Sequence, residues 1–189
     1  MRLRNIKGAH DIIGASEYIV LNPNDYRGKM HELFGNDNDI EIEIGMGKGD
    51  FLINKAIKNP HINFIGIEKY ASVLVKTVKK LENIKLNNLK IMNFDANMID
   101  EVFDKEVVKI YLNFSDPWPK KKHANRRLTS PIFLNKYKNI FVSLLLEYQI
   151  LRHKKALIYL YKITLLHRSM DLSYEMSHIL SAIFSYMPQ

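Results

Sequence analysis

Between Ile40 and Phe114 the sequence passes repeatedly from a short apolar run to a helical pattern, and that alternation constrains the fold more than any other feature. Ile40-Glu-Ile-Glu-Ile44 alternates as a half-buried strand and leads straight into Gly45-Met-Gly-Lys-Gly49. Asp50 to Lys58 then reads as a helix, with Phe51, Leu52, Lys55 and Ala56 at helical spacing and Asn59-Pro60 as its stop. The cycle recurs with a strand over Asn63 to Glu68 and a helix over Ser72 to Leu81. A third strand over Leu89 to Asn93, a short helix over Met98 to Phe103 and a fourth strand over Val107 to Phe114 complete it. Such alternation predicts the α/β class: a mainly parallel, Rossmann-like sheet with helices on both faces. Ligands of these sheets sit outside the carboxyl ends of the strands. Those ends carry Glu43 with Gly45, then Glu68, Asp95 and Asp116.

The flanking chain and the bulk charge narrow the class of partner. Residues 1–38 are polar and basic with scattered apolar positions, an arm expected to pack on the domain or to lie along a polyanion. Lysine and arginine exceed aspartate and glutamate by 28 to 20, a net charge of +8, which draws polyanions and makes nucleic acid the first partner to consider. The chain has no cysteine, so disulfides and thiolate metal sites are excluded, and His61, His153, His167 and His178 form no spaced metal cluster. No signal-peptide core follows the charges of Met1-Arg-Leu-Arg-Asn-Ile-Lys7, and the longest apolar run, Ala156 to Leu166, is too short for a membrane span. A cytoplasmic protein without membrane or metal partners is the expectation.

The glycine turn and the carboxylates suggest which ligand the strand ends hold. Gly45 and Gly47 permit close backbone approach, and the amides of the following helix accept a polar group, although glycines also serve simply to make tight strand-to-helix turns. Glu68 ends the second strand at the distance where these folds hydrogen-bond ribose hydroxyls. Glu43, just before the glycines, would repel a pyrophosphate but suits an ammonium, and Asp95 can reach the exocyclic amine of an adenine. A ligand with adenosine, an ammonium and no phosphate is S-adenosylmethionine.

The second constellation is Asn113-Phe-Ser-Asp-Pro-Trp-Pro-Lys120, followed by Lys121-Lys-His-Ala-Asn-Arg-Arg127. Asp116 sits in a turn stiffened by Pro117 and Pro119, with cations immediately after it. Trp118 is placed either to stack on a base or to pack. The basic run suits phosphates, which it would position without reading sequence.

Together these segments resemble a known family. Glu-Ile-Gly-x-Gly-x-Gly, Phe-Ile-Gly-Ile-Glu, Asn-Phe-Ser-Asp-Pro-Trp-Pro-Lys-Lys-x-His and Arg-Arg-Leu-Thr-Ser-Pro stand in the order and spacing of the bacterial tRNA (guanine-N7-)-methyltransferases. The resemblance runs from Met1 to about Phe141. It implies that Glu43, Gly45, Gly47, Glu68, Asp95 and Asp116 bind S-adenosylmethionine and that Asp116 is also catalytic. It further implies that Lys120 binds the substrate and that Lys122, His123, Ala124, Asn125, Arg126 and Arg127 contact tRNA. The implied reaction is methylation of a variable-loop guanine at N7. A catalytically impaired tRNA-binding fragment and an exocyclic-amine methyltransferase are the alternatives, the latter because Ser-Asp-Pro-Trp is distantly analogous to acidic-Pro-Pro-aromatic loops.

Beyond residue 141 the chain departs from that pattern. The family's later strands and its Thr-Glu-Tyr-Glu segment have no counterpart, so the expectation is a methyltransferase domain over 1–141 and a non-family, poorly ordered tail over 142–189, with the C-terminal strands of the sheet missing. Back-translating His167 to His178 with common codons and reading from the third base permits a family-like segment, which points to a frameshift near residues 140–147.

Overall fold

The computed structural model describes residues 6–113, 120–142, 145–150 and 159–164, the last two segments by their backbone alone. The elements in chain order are α1 (Ala9–Gly14), β1 (Ile19–Val20), β2 (Ile40–Ile44), α2 (Asp50–Lys58), β3 (Asn63–Ile67) and α3 (Ala71–Leu81). They continue with β4 (Leu89–Met92), α4 (Ile99–Val102), β5 (Val107–Tyr111), α5 (Pro131–Ile140), β6 (Leu145–Ile150) and β7 (Tyr159–Thr164). The strands form one sheet in the order β1-β4-β3-β2-β5-β6-β7. All pairings are parallel except β6 with β7. Strand order reverses between β2 and β5, so the ends of these two strands frame the switch-point crevice.

Both faces of the sheet are covered. Ile40, Ile42 and Ile44 of β2 pack with Ile65, Ile110, Phe133 and Tyr137 on one side. Phe64, Ile91 and Tyr111 pack with Leu52, Leu74 and Val78 from α2 and α3 on the other. This double cover corrects the half-buried reading of β2, because all five of its residues are buried, Glu41 and Glu43 included. Glu41 meets the desolvation cost by accepting a hydrogen bond from the Tyr111 hydroxyl at 2.6 Å. The alternating pattern told which face was apolar; it did not tell that helices would bury the carboxylate face too.

The described part of the N-terminal arm packs on the domain. Ile6 N–H donates to Ser72 Oγ at 3.0 Å, and the Tyr18 hydroxyl donates to the Ile84 carbonyl at 2.5 Å. β1 adds to the free edge of β4. The Glu106 carboxylate, just ahead of β5, accepts from Gly28 N–H at 2.8 Å and Met30 N–H at 2.6 Å, tying the arm to the sheet.

The expectation that the C-terminal strands are missing is corrected. β6 pairs with β5 in the register Ile110 to Leu146, and β7 runs antiparallel beside β6. β5 is therefore internal, with both its neighbours in place. The physical reason lies in composition: Tyr148 and Ile150 in β6 and Tyr159, Tyr161, Ile163 and Thr164 in β7 are aromatic or β-branched residues that extended chain favours, whatever family they come from.

Candidate functional site at the strand ends

The glycine turn is built for close approach on one side and for packing on the other. Gly45, Gly47 and Gly49 have φ of 77°, 58° and 75°, a region costly for other residues. Gly45 and Met46 N–H both donate to the Ile67 carbonyl, at 2.8 and 3.0 Å, which folds the turn over the end of β3. A Cβ on Gly45 or Gly47 would meet nothing within 4 Å, so these two face open space. A Cβ on Gly49 would lie 2.8 Å from Thr77 Cγ2, so that glycine lets α2 pack on α3. The Thr77 hydroxyl also donates to the Gly47 carbonyl at 3.2 Å. Gly66 in β3 makes room for Met46, whose sulfur fills the space a Cβ would need.

Three of the four expected carboxylates lie along this rim. Glu68 brackets the turn, with Oε2 accepting from Gly47 N–H at 3.1 Å and Oε1 from Tyr70 N–H at 3.0 Å. Asp95 caps the turn leading into α4: Oδ1 accepts from Asn97 N–H at 3.0 Å, and Oδ2 takes the Lys69 ammonium at 2.6 Å. Burial pushes the Asp95 carboxyl up, but the Lys69 and Asn97 hydrogen bonds and the Lys69 charge outweigh it and hold the group below its ordinary value. The same pairing raises the Lys69 ammonium. Asp95 keeps a third of its side chain exposed, so a further donor can still reach it.

Glu43 is different. It is 2% exposed, Oε1 accepts from the Asn113 amide at 3.1 Å, and Oε2 is buried with no partner among the described residues. Burial pushes its carboxyl up to about 7; the Asn113 hydrogen bond pulls it down and the Glu68 charge raises it again. An orphaned carboxylate oxygen beside an open glycine turn calls for a donor, and a cationic one also offsets the cost of its buried charge. The ammonium of S-adenosylmethionine meets that requirement, while the ribose and adenine donors suit Glu68 and Asp95. The residues present fit this cofactor.

The fourth carboxylate, Asp116, lies outside the described residues, as do Pro117, Trp118 and Pro119. The basic run after them forms a 3-10 turn over Lys121–Arg126. It is fixed to α5, because Ser130 Oγ donates to the Asn125 carbonyl at 3.2 Å and the Tyr137 hydroxyl to that of Leu128 at 3.0 Å. Lys120, Lys122, Asn125 and Arg126 are exposed, whereas His123, Ala124 and Arg127 are half-buried. Among the described residues no group of His, Asp and Glu is arranged to hold a metal, and no helix is long and apolar enough to cross a membrane. Sequence reasoning gave no role to Asn113, Lys69 or Thr77. Asn113 carried a signal, since it opens the very motif that led to Asp116; the other two carried none.

The sheet order, the glycine turn and the carboxylate rim define a Rossmann-like methyltransferase that uses S-adenosylmethionine. Solved structures agree on the fold. The aminoglycoside resistance methyltransferase NpmB1 superposes with a TM-score of 0.54 at 17% identity, covering 86% of this chain and 71% of its own. The 16S rRNA methyltransferase KamB does so with 0.52 at 16% identity, covering 65% and 57%. A family model described as "Putative methyltransferase" matches residues 37–144. The chain is 52% identical over 143 residues to the tRNA (guanine-N(7)-)-methyltransferase of Lachnoclostridium phytofermentans, covering 75% of this chain and 67% of that one. It is 48% identical over 142 residues to the protein of the same name from Bacillus subtilis, covering 74% and 67%. The chain belongs to the tRNA (guanine-N(7)-)-methyltransferase family.

Proposed function

We propose that this protein methylates N7 of a guanine in the variable loop of tRNA, with S-adenosylmethionine as methyl donor. The observation that carries the reading is identity of 48–52% across three quarters of the chain to relatives that share this one activity in their names. The rim of Glu43, Glu68 and Asp95 supports it, because these are the acceptors such a cofactor needs. When bound, S-adenosylmethionine supplies an electrophilic methyl group on a sulfonium.

Glu43 receives the ammonium at the switch point, Gly45 and Gly47 let the ligand lie against the backbone, and Glu68 and Asp95 hold ribose and adenine. Guanine N7 would offer its in-plane lone pair to that methyl group, the S–C bond electrons returning to sulfur and the positive charge passing to the purine. No proton leaves N7, so the site needs alignment rather than a general base. Asp116 orients the base edge and stabilises the purine charge. Lys120 and the segment Lys122 to Arg127 hold tRNA phosphates around the target, and His123 serves there rather than as a base. A cytoplasmic location is part of the same proposal, supported by tRNA as the substrate class.

The same reading takes residues 1–141 as the methyltransferase domain and 142–189 as sequence foreign to the family, supported by a family match that ends at residue 144. A frameshift near residues 140–147 accounts for it. Sequencing the gene decides that point, since a family-like frame must reappear after a one-base change. The activity is tested with purified protein, methyl-labelled S-adenosylmethionine and unmodified tRNA, followed by nucleoside analysis. Label in N7-methylguanosine is expected. Label in methyladenosine, or tRNA binding without label, overturns the reading.

A further inference from the structure

A glutamate side chain has enough torsional freedom that a solvent-facing carboxylate presents either oxygen to a ligand. Glu43 does not have that freedom. It is buried between the Glu68 carboxylate, its charged neighbour just past β3, and the Asn113 amide, its neutral neighbour just past β5. Further back on the same face, the Glu41 carboxylate is occupied by the Tyr111 hydroxyl. Tyr111, the last residue of β5, is the register partner of Glu43, and Asn113 follows two residues later, just past the strand end, where its amide reaches the Glu43 carboxylate. The resulting bond crosses between β2 and β5, where the strand order reverses. It makes the two carboxylate oxygens inequivalent: Oε1 is held by the amide, and Oε2 is left buried without a partner among the described residues.

We propose that Asn113 is a positioning residue, one that fixes Glu43 through Oε1 so that Oε2 meets the ammonium of the cofactor. The proposal rests on the reading of Glu43 as the ammonium acceptor. Asparagine suits the task for a stated reason. Its amide donates to the ionised carboxylate without adding charge, so it favours ionisation against both burial and Glu68. An aspartate of the same shape would offer an acceptor to an acceptor, and an aliphatic residue would leave both oxygens unsatisfied.

Calorimetric binding to the full-length chain tests this with two ligands, S-adenosylhomocysteine, which keeps the ammonium, and methylthioadenosine, which lacks the amino-acid part. Asn113→Ala is expected to weaken S-adenosylhomocysteine roughly tenfold, the scale of one hydrogen bond to a charged group, and to leave methylthioadenosine within about twofold. Combined with Glu43→Gln it adds nothing further, because both changes act through one carboxylate. Asn113→Asp keeps the shape and serves where the alanine variant folds poorly. It is expected to bind S-adenosylhomocysteine worse than wild type at pH 8 and to recover as pH falls and a shared proton restores the bond, a recovery that a merely structural role would not produce.

Equal losses on both ligands, additive losses in the double variant, or no recovery on acidification overturn the role of Asn113. If Glu43→Gln still loses S-adenosylhomocysteine selectively, the acceptor reading survives that failure. If Glu43→Gln binds both ligands as wild type does, the acceptor reading falls, and the positioning role with it.

Discussion

The crevice between β2 and β5 and the turn after β4 each present a carboxylate to the same rim, yet the two groups are held in opposite ways. Asp95, after β4, is partly exposed, accepts from Asn97 N–H and is paired with Lys69, so the fold favours its charge. Glu43, at the crevice, is buried beside a second carboxylate with one oxygen orphaned, so the fold resists its charge. A satisfied carboxylate is explained by its own structure. An unsatisfied one asks for a partner, which is why the proposed cofactor contact falls on Glu43 rather than on Asp95.

The most severe challenge to this contrast is Glu43→Gln. It should weaken S-adenosylmethionine by about 100-fold, since an ammonium loses its buried counter-charge. It should also raise the stability of the unliganded protein at pH 8, because holding Glu43 ionised costs on the order of 3 kcal/mol, the shift from 4.5 to about 7 at roughly 1.4 kcal/mol per unit. Calorimetry and urea denaturation read the two effects. A variant that loses both affinity and stability would show that Glu43 is a structural group and not the ammonium acceptor.

Acidification should act in the same direction on affinity. If the ligand takes the ionised carboxylate as proposed, binding at pH 6 should be about tenfold weaker than at pH 8, with a midpoint near pH 7, and the Glu43→Gln profile should lack that step. The stability of the unliganded fold carries opposite signs for the two groups. The raised Glu43 carboxyl binds its proton more tightly when folded, so its contribution is full below the ordinary glutamate range and is lost as pH rises through about 7. The depressed Asp95 contributes above the ordinary aspartate range and loses that contribution as pH falls through its folded value. Denaturation midpoints of Glu43→Gln and Asp95→Asn, followed across pH, separate the two.

Smaller effects are expected around the glycine turn and Asp95. Gly49→Ala should cost about 1–3 kcal/mol of stability, through its positive φ and the contact with Thr77, with cofactor affinity lost only in proportion to unfolding. Lys69→Met should change affinity by less than about threefold, because an exposed ion pair contributes little. A large loss there would mean that Lys69 touches the ligand itself.

Much of this arrangement was legible in the chain, and what escaped has a physical cause. The alternation from Ile40 to Phe114 gave strands and helices close to those observed, because local periodicity decides them. The positions of the glycine turn, Glu68 and Asp95 were legible because position after a strand is a sequence property, and that of Glu43 because it stands two residues before the first glycine. The burial of Glu41 and Glu43 was not, since it depends on α2 and α3 folding back over the second face. Nor was the division of labour between Glu43 and Asp95, which arises from Asn113, 70 residues from Glu43, and from Lys69, 26 from Asp95. The missing-strand reading failed because it weighed family pattern above the extended-chain propensity of Tyr148 and Ile150 in β6 and of Tyr159–Thr164 in β7.

The claim that the orphaned Glu43 carboxylate anchors the cofactor is tested most directly by counting protons. Titrating S-adenosylmethionine into the protein at pH 7, in two buffers of different ionisation enthalpy, yields the protons released on binding. With Glu43 half-protonated before binding and ionised after it, wild type should release about half a proton more than Glu43→Gln. Equal release from the two proteins would contradict the anchoring role of Glu43.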